Sequence, residues 1–298
     1  MKKLFITAAA LLVCAVAGAQ LVSVQSVERL GSATGDKAVL SPDGQFVVVN
    51  TATSLKKVNV ADGAESVIVE GEGLYNVRVS GDGNTVVYSK PSYNDKHMRF
   101  VSLEAANLAD GTVKTLVKPS RKLNHGFIIA DGTVNAIENG KLRTTVVNGG
   151  KTVKAPVASI SYGHLQVTQN GKTVTIDPQG RGSYIWPSVS PDGKRVCYWL
   201  VGAGCFTCNL DGSDVKQHGR LVAPVWAGNS MLVGQDVVEG TAQALTASSI
   251  VALDVNTNKV QKLTDDSVIA TFPSASADGS RIAFTTPEGA VYLINLTK

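Results

Sequence analysis

Long apolar stretches at helical spacing are missing from this sequence, and with them goes a helical fold. Charge is sparse, at 17% of residues, and no basic run occurs, so nothing favours a nucleic-acid partner. The polybasic patch or amphipathic helix that would hold a chain to a membrane surface is also absent. The four histidines, His97, His125, His164 and His218, fall in no H-x-H or H-E-x-x-H pattern, so no zinc motif is present. A nucleophile elbow is missing too: the nearest string, GSATG at 31–35, carries its serine one place early. NLDGSD at 209–214 lacks the further carboxylates of a calcium loop. No cofactor motif appears.

Cysteine is rare. Past residue 19 only Cys197, Cys205 and Cys208 remain. Cys205 and Cys208 are three apart, which on a strand aims them at opposite faces and argues against a redox pair or half a zinc site. If a hairpin pairs Leu200 with Cys205, Cys197 lies opposite Cys208. That pair is the candidate disulfide, and buried free thiols are the alternative.

What the chain does hold is glycine (29 residues), frequent valine and threonine, and 44% hydrophobic residues, enough for a core built from strands and tight turns. The first residues stand apart. MKK, an apolar run to Ala17 and a small-residue site ending at Ala19 read as a signal peptide over 1–19. The run is short for a membrane span, and polar alternating sequence follows it. The expectation is an exported chain, periplasmic or secreted, with no transmembrane segment and one domain over 20–298.

That domain repeats itself. KAVLSPDGQFVVVN (37–50), NVRVSGDGNTVVYS (76–89), YIWPSVSPDGKRVCYW (184–199) and FPSASADGSRIAFT (272–285) share one frame: strand, S-x-D-G turn, strand. Proline presets φ, aspartate bonds locally and glycine supplies the positive φ, which makes a hairpin. Weaker copies sit at 126–137 and 224–234. A second hairpin follows most copies, as in VSLEAANLADGTVKTLV (101–117) and CFTCNLDGSDVKQH (205–218). Units start near 37, 75, 125, 158, 184, 223 and 270, a spacing of about 40. The fold class is therefore all-β, a β-propeller of six or seven four-stranded blades, with the strand count nearer seven. The unit at 156–183 is the weak one, with room for three strands. The last unit runs out after its third strand. VSVQSVERLGSATGDKAVLSPDG (22–44) aligns with NKVQKLTDDSVIATFPSASADG (258–279), so the N-terminal strand is expected to complete the last blade. Such a ring has no free edge, and the chain is read as a monomer.

Ser41-Pro42-Asp43-Gly44 and Ser190-Pro191-Asp192-Gly193, with NLDG or LADG a strand later, resemble the WD40-like PD40 repeat of TolB-type propellers. The resemblance runs from about 22 to 298. It implies a propeller, exported to the periplasm, that binds protein partners at the cell envelope. TolB also carries an α/β domain ahead of its propeller, for which no room is seen here. Other PD40 propellers are lyases or are joined to serine peptidases, so the repeat alone permits several functions.

In such a ring the S-x-D-G turns share one face. The breaks at 90–98 and 235–248, and the segments 118–125 and 178–187, share the other. Long loops on a rigid scaffold are where binding residues gather. They bring Tyr93, His97, Arg121, His125, Arg181, Tyr184, Trp186, Asp236 and Glu239 to that face. Trp186 and Trp226 also read as core residues at blade junctions. The expected function is non-catalytic binding of a protein, or less so of an envelope glycan. The alternative is a lyase or hydrolase with a metal or histidine site at the channel, for which His125 is the one inner-strand candidate.

Overall fold

A computed structural model describes residues 20–130, 132–147, 155–239 and 245–297; the expected leader over 1–19 lies outside them. The chain is all-β, with seven small antiparallel sheets arranged as a seven-bladed propeller. Blade 7 contains the N-terminal strand β1 (Ser23–Thr34). Blade 1 holds β2 (Lys37–Leu40), β3 (Phe46–Asn50), β4 (Ser54–Asn59) and β5 (Glu65–Glu70). Blade 2 holds β6 (Tyr75–Val79), β7 (Thr85–Tyr93), β8 (Arg99–Asn107) and β9 (Val113–Ser120). Among the described residues, blades 3 and 4 have three strands each. They are β10 (Leu123–Ala130), β11 (Thr133–Glu138) and β12 (Lys141–Val146), then β13 (Val157–Ser161), β14 (His164–Gln169) and β15 (Lys172–Thr175). Blade 5 comprises β16 (Tyr184–Val189), β17 (Arg195–Leu200), β18 (Gly204–Asn209) and β19 (Lys216–Gln217). Blade 6 comprises β20 (Val222–Trp226), β21 (Met231–Glu239), β22 (Leu245–Asp254) and β23 (Val260–Lys262). Blade 7 runs β24 (Thr271–Ala275), β25 (Arg281–Thr285), β26 (Ala290–Thr297) and then β1.

The ring closes as the sequence implies. β1 pairs antiparallel with β26, with Val27 opposite Ile294 and Ser23 opposite Thr297. Val22 and Leu296 enter the core between blades 6 and 7, while Leu30 and Ala33 pack with Ala38 and Leu40 of blade 1. Gln261 adds a clamp: its Oε1 accepts from Leu21 N and Val22 N at 2.7 and 3.1 Å, and its Nε2 donates to Val22 O. First strands touch from β2 through β6 to β10 and from β13 through β16 and β20 to β24, which meets β2; between blades 3 and 4 it is β11 that meets β13.

Second strands are apolar without alternation because both their faces are covered. In β3, Val47 faces the core shared with blade 7 and Val48 the core shared with blade 2. The S-x-D-G turns are all built alike. Ser41 Oγ donates to Asp43 Oδ1 at 2.6 Å and accepts from Phe46 N at 3.1 Å. Asp43 also accepts from Gln45 N, and Gly44 takes φ +72°. Ser190–Asp192 and Ser276–Asp278 repeat the bond at 2.6 and 2.7 Å.

Blade 4 departs from the plan. Its Tyr162–Gly163 turn lies against the Asn139–Gly140 turn of blade 3, with Ser161 Oγ donating to Gly140 O at 2.9 Å. Pro156, at the other end of β13, abuts Gly193 in the S-x-D-G turn of blade 5. β13 therefore runs opposite to the other first strands.

Two expected loops are strands. β7 and β8 pair as far as Tyr93 with Arg99, so the 90–98 break is a hairpin that continues the blade and turns over 94–98. β21 and β22 likewise pair out to Glu239 with Leu245. Pro91 and the polar residues around it hid this extension, since proline argues against a strand in sequence.

Candidate binding face

Counting back from the turn residue aligns the first strands. The N–H groups of Ser41, Ser80, Ser190, Ala227 and Ser276 each bond across their turn, to the carbonyls of Phe46, Thr85, Arg195, Met231 and Arg281. Four residues earlier stand Lys37, Asn76, Trp186, Ala223 and Phe272, one per blade, at the end of the ring opposite those turns. Asn76, Trp186, Ala223 and Phe272 share an unusual backbone, with φ of 52, 52, 48 and 51°. Each is the extra residue of a bulge, where pairing with the second strand skips a step. Left-handed φ is uncommon outside glycine and asparagine and persists only where the surroundings impose it. At Phe272 the imposing bond is visible: its N–H donates to Oε1 of buried Gln235 in blade 6 at 3.1 Å.

The bulge turns large side chains toward the channel mouth. Phe272 and Trp186 are each 43% exposed. Lys37 Nζ sits 4.4 Å above the Phe272 ring, and Trp199 meets Trp186 edge-on at 5.9 Å. Two residues deeper, Arg78 lies on β6, with Nη1 donating to Val77 O at 2.8 Å. Burial lowers the pKa of Lys37, and repulsion from Arg78 adds to it. Outside this collar, a cleft of about 860 Å³ opens between blades 6, 7 and 1, lined by Thr34, Thr51, Gln235, Thr271, Phe272 and Glu288 among others.

The expected site residues divide. Tyr93, at the tip of the blade 2 hairpin, is 65% exposed. His97 sits in its turn at φ +54°, held by its N–H to Asn94 O. Arg121 reaches the same tip, its Nη1 donating to Met98 Sδ at 3.4 Å. Tyr93, His97 and Arg121 are thus brought together. Asp236 is exposed on the blade 6 hairpin opposite Ser249, and Arg181 is exposed before β16. They belong to other sectors of the rim. His125 and Glu239 lie on β10 and β21, and their side chains are outside the described residues.

Tyr184 does not belong to the surface. It is buried, edge-on to Tyr198, and its hydroxyl donates to Gly180 O at 2.7 Å. Trp226 packs on the core between blades 5 and 6. The cysteine register also differs by one: Leu200 pairs with Gly204, so Cys197 faces Thr207 and Cys208 faces Val196. Cys197 and Cys208 consequently point into different cores, and all three thiols are free. Cys197 lies nearest Cys205, Sγ to Sγ 3.8 Å.

The other two histidines each have side-chain partners. His164 Nδ1 pairs with Asp177 at 2.6 Å. Buried His218 joins Thr207 Oγ1 at 2.7 Å to Asn258 of blade 6. Among the described residues no three metal-ligating side chains converge, and no helix is long and apolar enough to cross a membrane. Sequence reasoning missed Lys37, Arg78 and Phe272, although aligning the turn serines would have placed Lys37 and Phe272 in the column that holds Trp186.

No family model matches the sequence. Among solved structures, the chain is similar to one from the mitotic checkpoint complex, with TM-score 0.63 and 11% identity over 97% of this chain and 99% of that one. It is similar to TolB from Acinetobacter baumannii, with TM-score 0.52 and 12% identity over 91% of this chain and 65% of TolB. An oligogalacturonate lyase from Vibrio parahaemolyticus aligns at TM-score 0.47 and 15% identity, over 87% of this chain and 76% of that one. At these identities the likeness is one of architecture: the chain has a TolB-like β-propeller fold.

Proposed function

We propose that this chain is an exported, non-catalytic propeller that binds a protein partner at the cell envelope through the face bearing the channel collar and the two long hairpins. The leader-like N-terminal sequence supports export. The observation that carries the binding assignment is the hairpin pair. β7–β8 and β21–β22 extend to nine or ten residues per strand, against five or six for the second and third strands of blades 1, 3 and 5. They stand on one face, and their outer parts cover no core: Tyr93 and Val238 are exposed at 65 and 56%. Paired backbone holds such side chains rigid, so little ordering entropy opposes binding. Exposed aromatics and arginine, here Tyr93 and Arg121 on blade 2 and Trp186 on blade 5, are the residue types that dominate interface energetics.

The test is to replace 238–247 by a two-residue Asn-Gly turn, which keeps Val237 opposite Ser248, and compare the variant with the intact protein in affinity capture from envelope extract. The expected result is loss of the captured protein with melting unchanged within about 3 °C, since about 1 kcal/mol or less is removed. Retention of the same partner by the trimmed protein contradicts the assignment.

A further inference from the structure

The described first strands of the seven blades carry two charged residues between them, and both are cations: Lys37 in β2 and Arg78 in β6. No carboxylate occurs on any of them. The two lie on touching strands of adjacent blades, at successive depths below the channel mouth. Neither forms an ion pair with a described residue. Lys37 makes its contact with the Phe272 ring. The hydrogen bond of Arg78 goes to a neighbouring carbonyl, which leaves most of its five N–H donors for another acceptor. Protein surrounds Arg78, yet the side chain is solvent-accessible, as expected for a residue facing an open channel. Asp36 and Glu288 line the neighbouring cleft, outside the first strands. Enclosed like charges are unfavourable unless an opposite charge compensates them.

We infer that the channel mouth between blades 7, 1 and 2 accepts the carboxylates of an acidic peptide segment, with Arg78 and Lys37 as the cations that hold them. The inference rests on the binding face proposed above and names the chemistry of its partner. A guanidinium takes a carboxylate in two parallel bonds, and the ammonium above Phe272 supplies a second contact nearer the surface. A collar fixed by bulges keeps that geometry without reorganisation.

The experiment is fluorescence anisotropy with a rhodamine-labelled dodecapeptide of alternating Glu and Ser, set beside its Lys–Ser counterpart. Intact protein should bind the acidic peptide alone, more weakly as sodium chloride rises. Arg78→Gln and Lys37→Gln should each weaken binding by about tenfold or more. Lys194→Gln, in an S-x-D-G turn on the opposite face, should not. Arg78→Gln should melt at or above the parent temperature, which separates lost binding from lost folding. Absent binding, equal binding by Arg78→Gln, or equal binding of the Lys–Ser peptide overturns the inference. Displacement by free glutamate at the peptide's own concentration also overturns it, in favour of a small carboxylate. If the trimmed hairpin loses the captured partner while Arg78→Gln keeps it, the acidic segment fails and the binding face stands. If both variants keep it, both fail.

Discussion

At one end of the ring, Ser41–Asp43, Ser190–Asp192 and Ser276–Asp278 make the same bond at nearly the same length. At the other end, the equivalent column reads Lys37, Asn76, Trp186, Ala223 and Phe272, and two blades stretch outward as hairpins. The turn end is packed against itself: Gly279 lies so close to blade 6 that an added Cβ would meet the Ala227 backbone at 2.8 Å. Backbone strain collects at the collar, where no turn requires it. The difference separates tasks, with stability built at the turns and diversity carried on the opposite rim.

The largest expected effect falls on the turn end. Gly279→Ala must accept both a φ of +71° and the contact with Ala227. A loss of about 3 kcal/mol is expected, read as a drop in melting temperature of about 8 °C. Gly111→Ala, at φ +72° with nothing within 4 Å of the new Cβ, should lose only about 1 kcal/mol. Equal losses would show that blade contact at the turns contributes nothing.

Ser190→Ala comes next. It removes a buried hydroxyl that donates to Asp192 and accepts from Arg195 N, and about 1–2 kcal/mol should go with it in urea unfolding.

Acid should act in two stages. Burial holds the pKa of His218 below its usual value, with the charges of Lys216 and Arg195 adding to the effect against its bond to Asn258. The unfolded chain takes up that proton first, so stability declines as pH falls through about 6.5. The serine hydroxyls hold Asp43, Asp82 and Asp192 below the ordinary carboxylate range. Their contribution is full above about pH 4 and disappears as pH falls through the lowered folded values. Melting temperature against pH should show both declines, and His218→Gln should remove the upper one.

The smallest effect belongs to the collar. Trp186→Gly relieves a left-handed φ worth about 1–2 kcal/mol but loses the edge contact with Trp199, worth about 0.5–1.5 kcal/mol. Stability should change by less than about 1 kcal/mol while partner capture weakens. A large loss of stability would make Trp186 a core residue.

Turn chemistry made most of the fold legible. The repeat places unit starts near 37, 75, 125, 158, 184, 223 and 270, and the first strands of the seven blades begin at 37, 75, 123, 157, 184, 222 and 271. The count of three strands in the last unit also foretold that β1 would close the ring. The site was less legible because its determinants are tertiary. Pro91 disguised paired strand as loop. One residue of register across the Val201–Ala203 turn moved Cys208 to the other face of its sheet. Tyr184 looked rim-like beside a glycine-rich segment, yet its ring is folded onto Tyr198. The strain at Phe272 depends on a bond from blade 6, which no local pattern records.

Amide hydrogen exchange on the protein with and without its captured partner tests most directly which end of the ring binds. New protection is expected across 91–99, 235–239 and 245–248 and around Lys37 and Phe272, with the turns at 41–44, 190–193 and 276–279 unchanged. Protection confined to those turns would contradict the account.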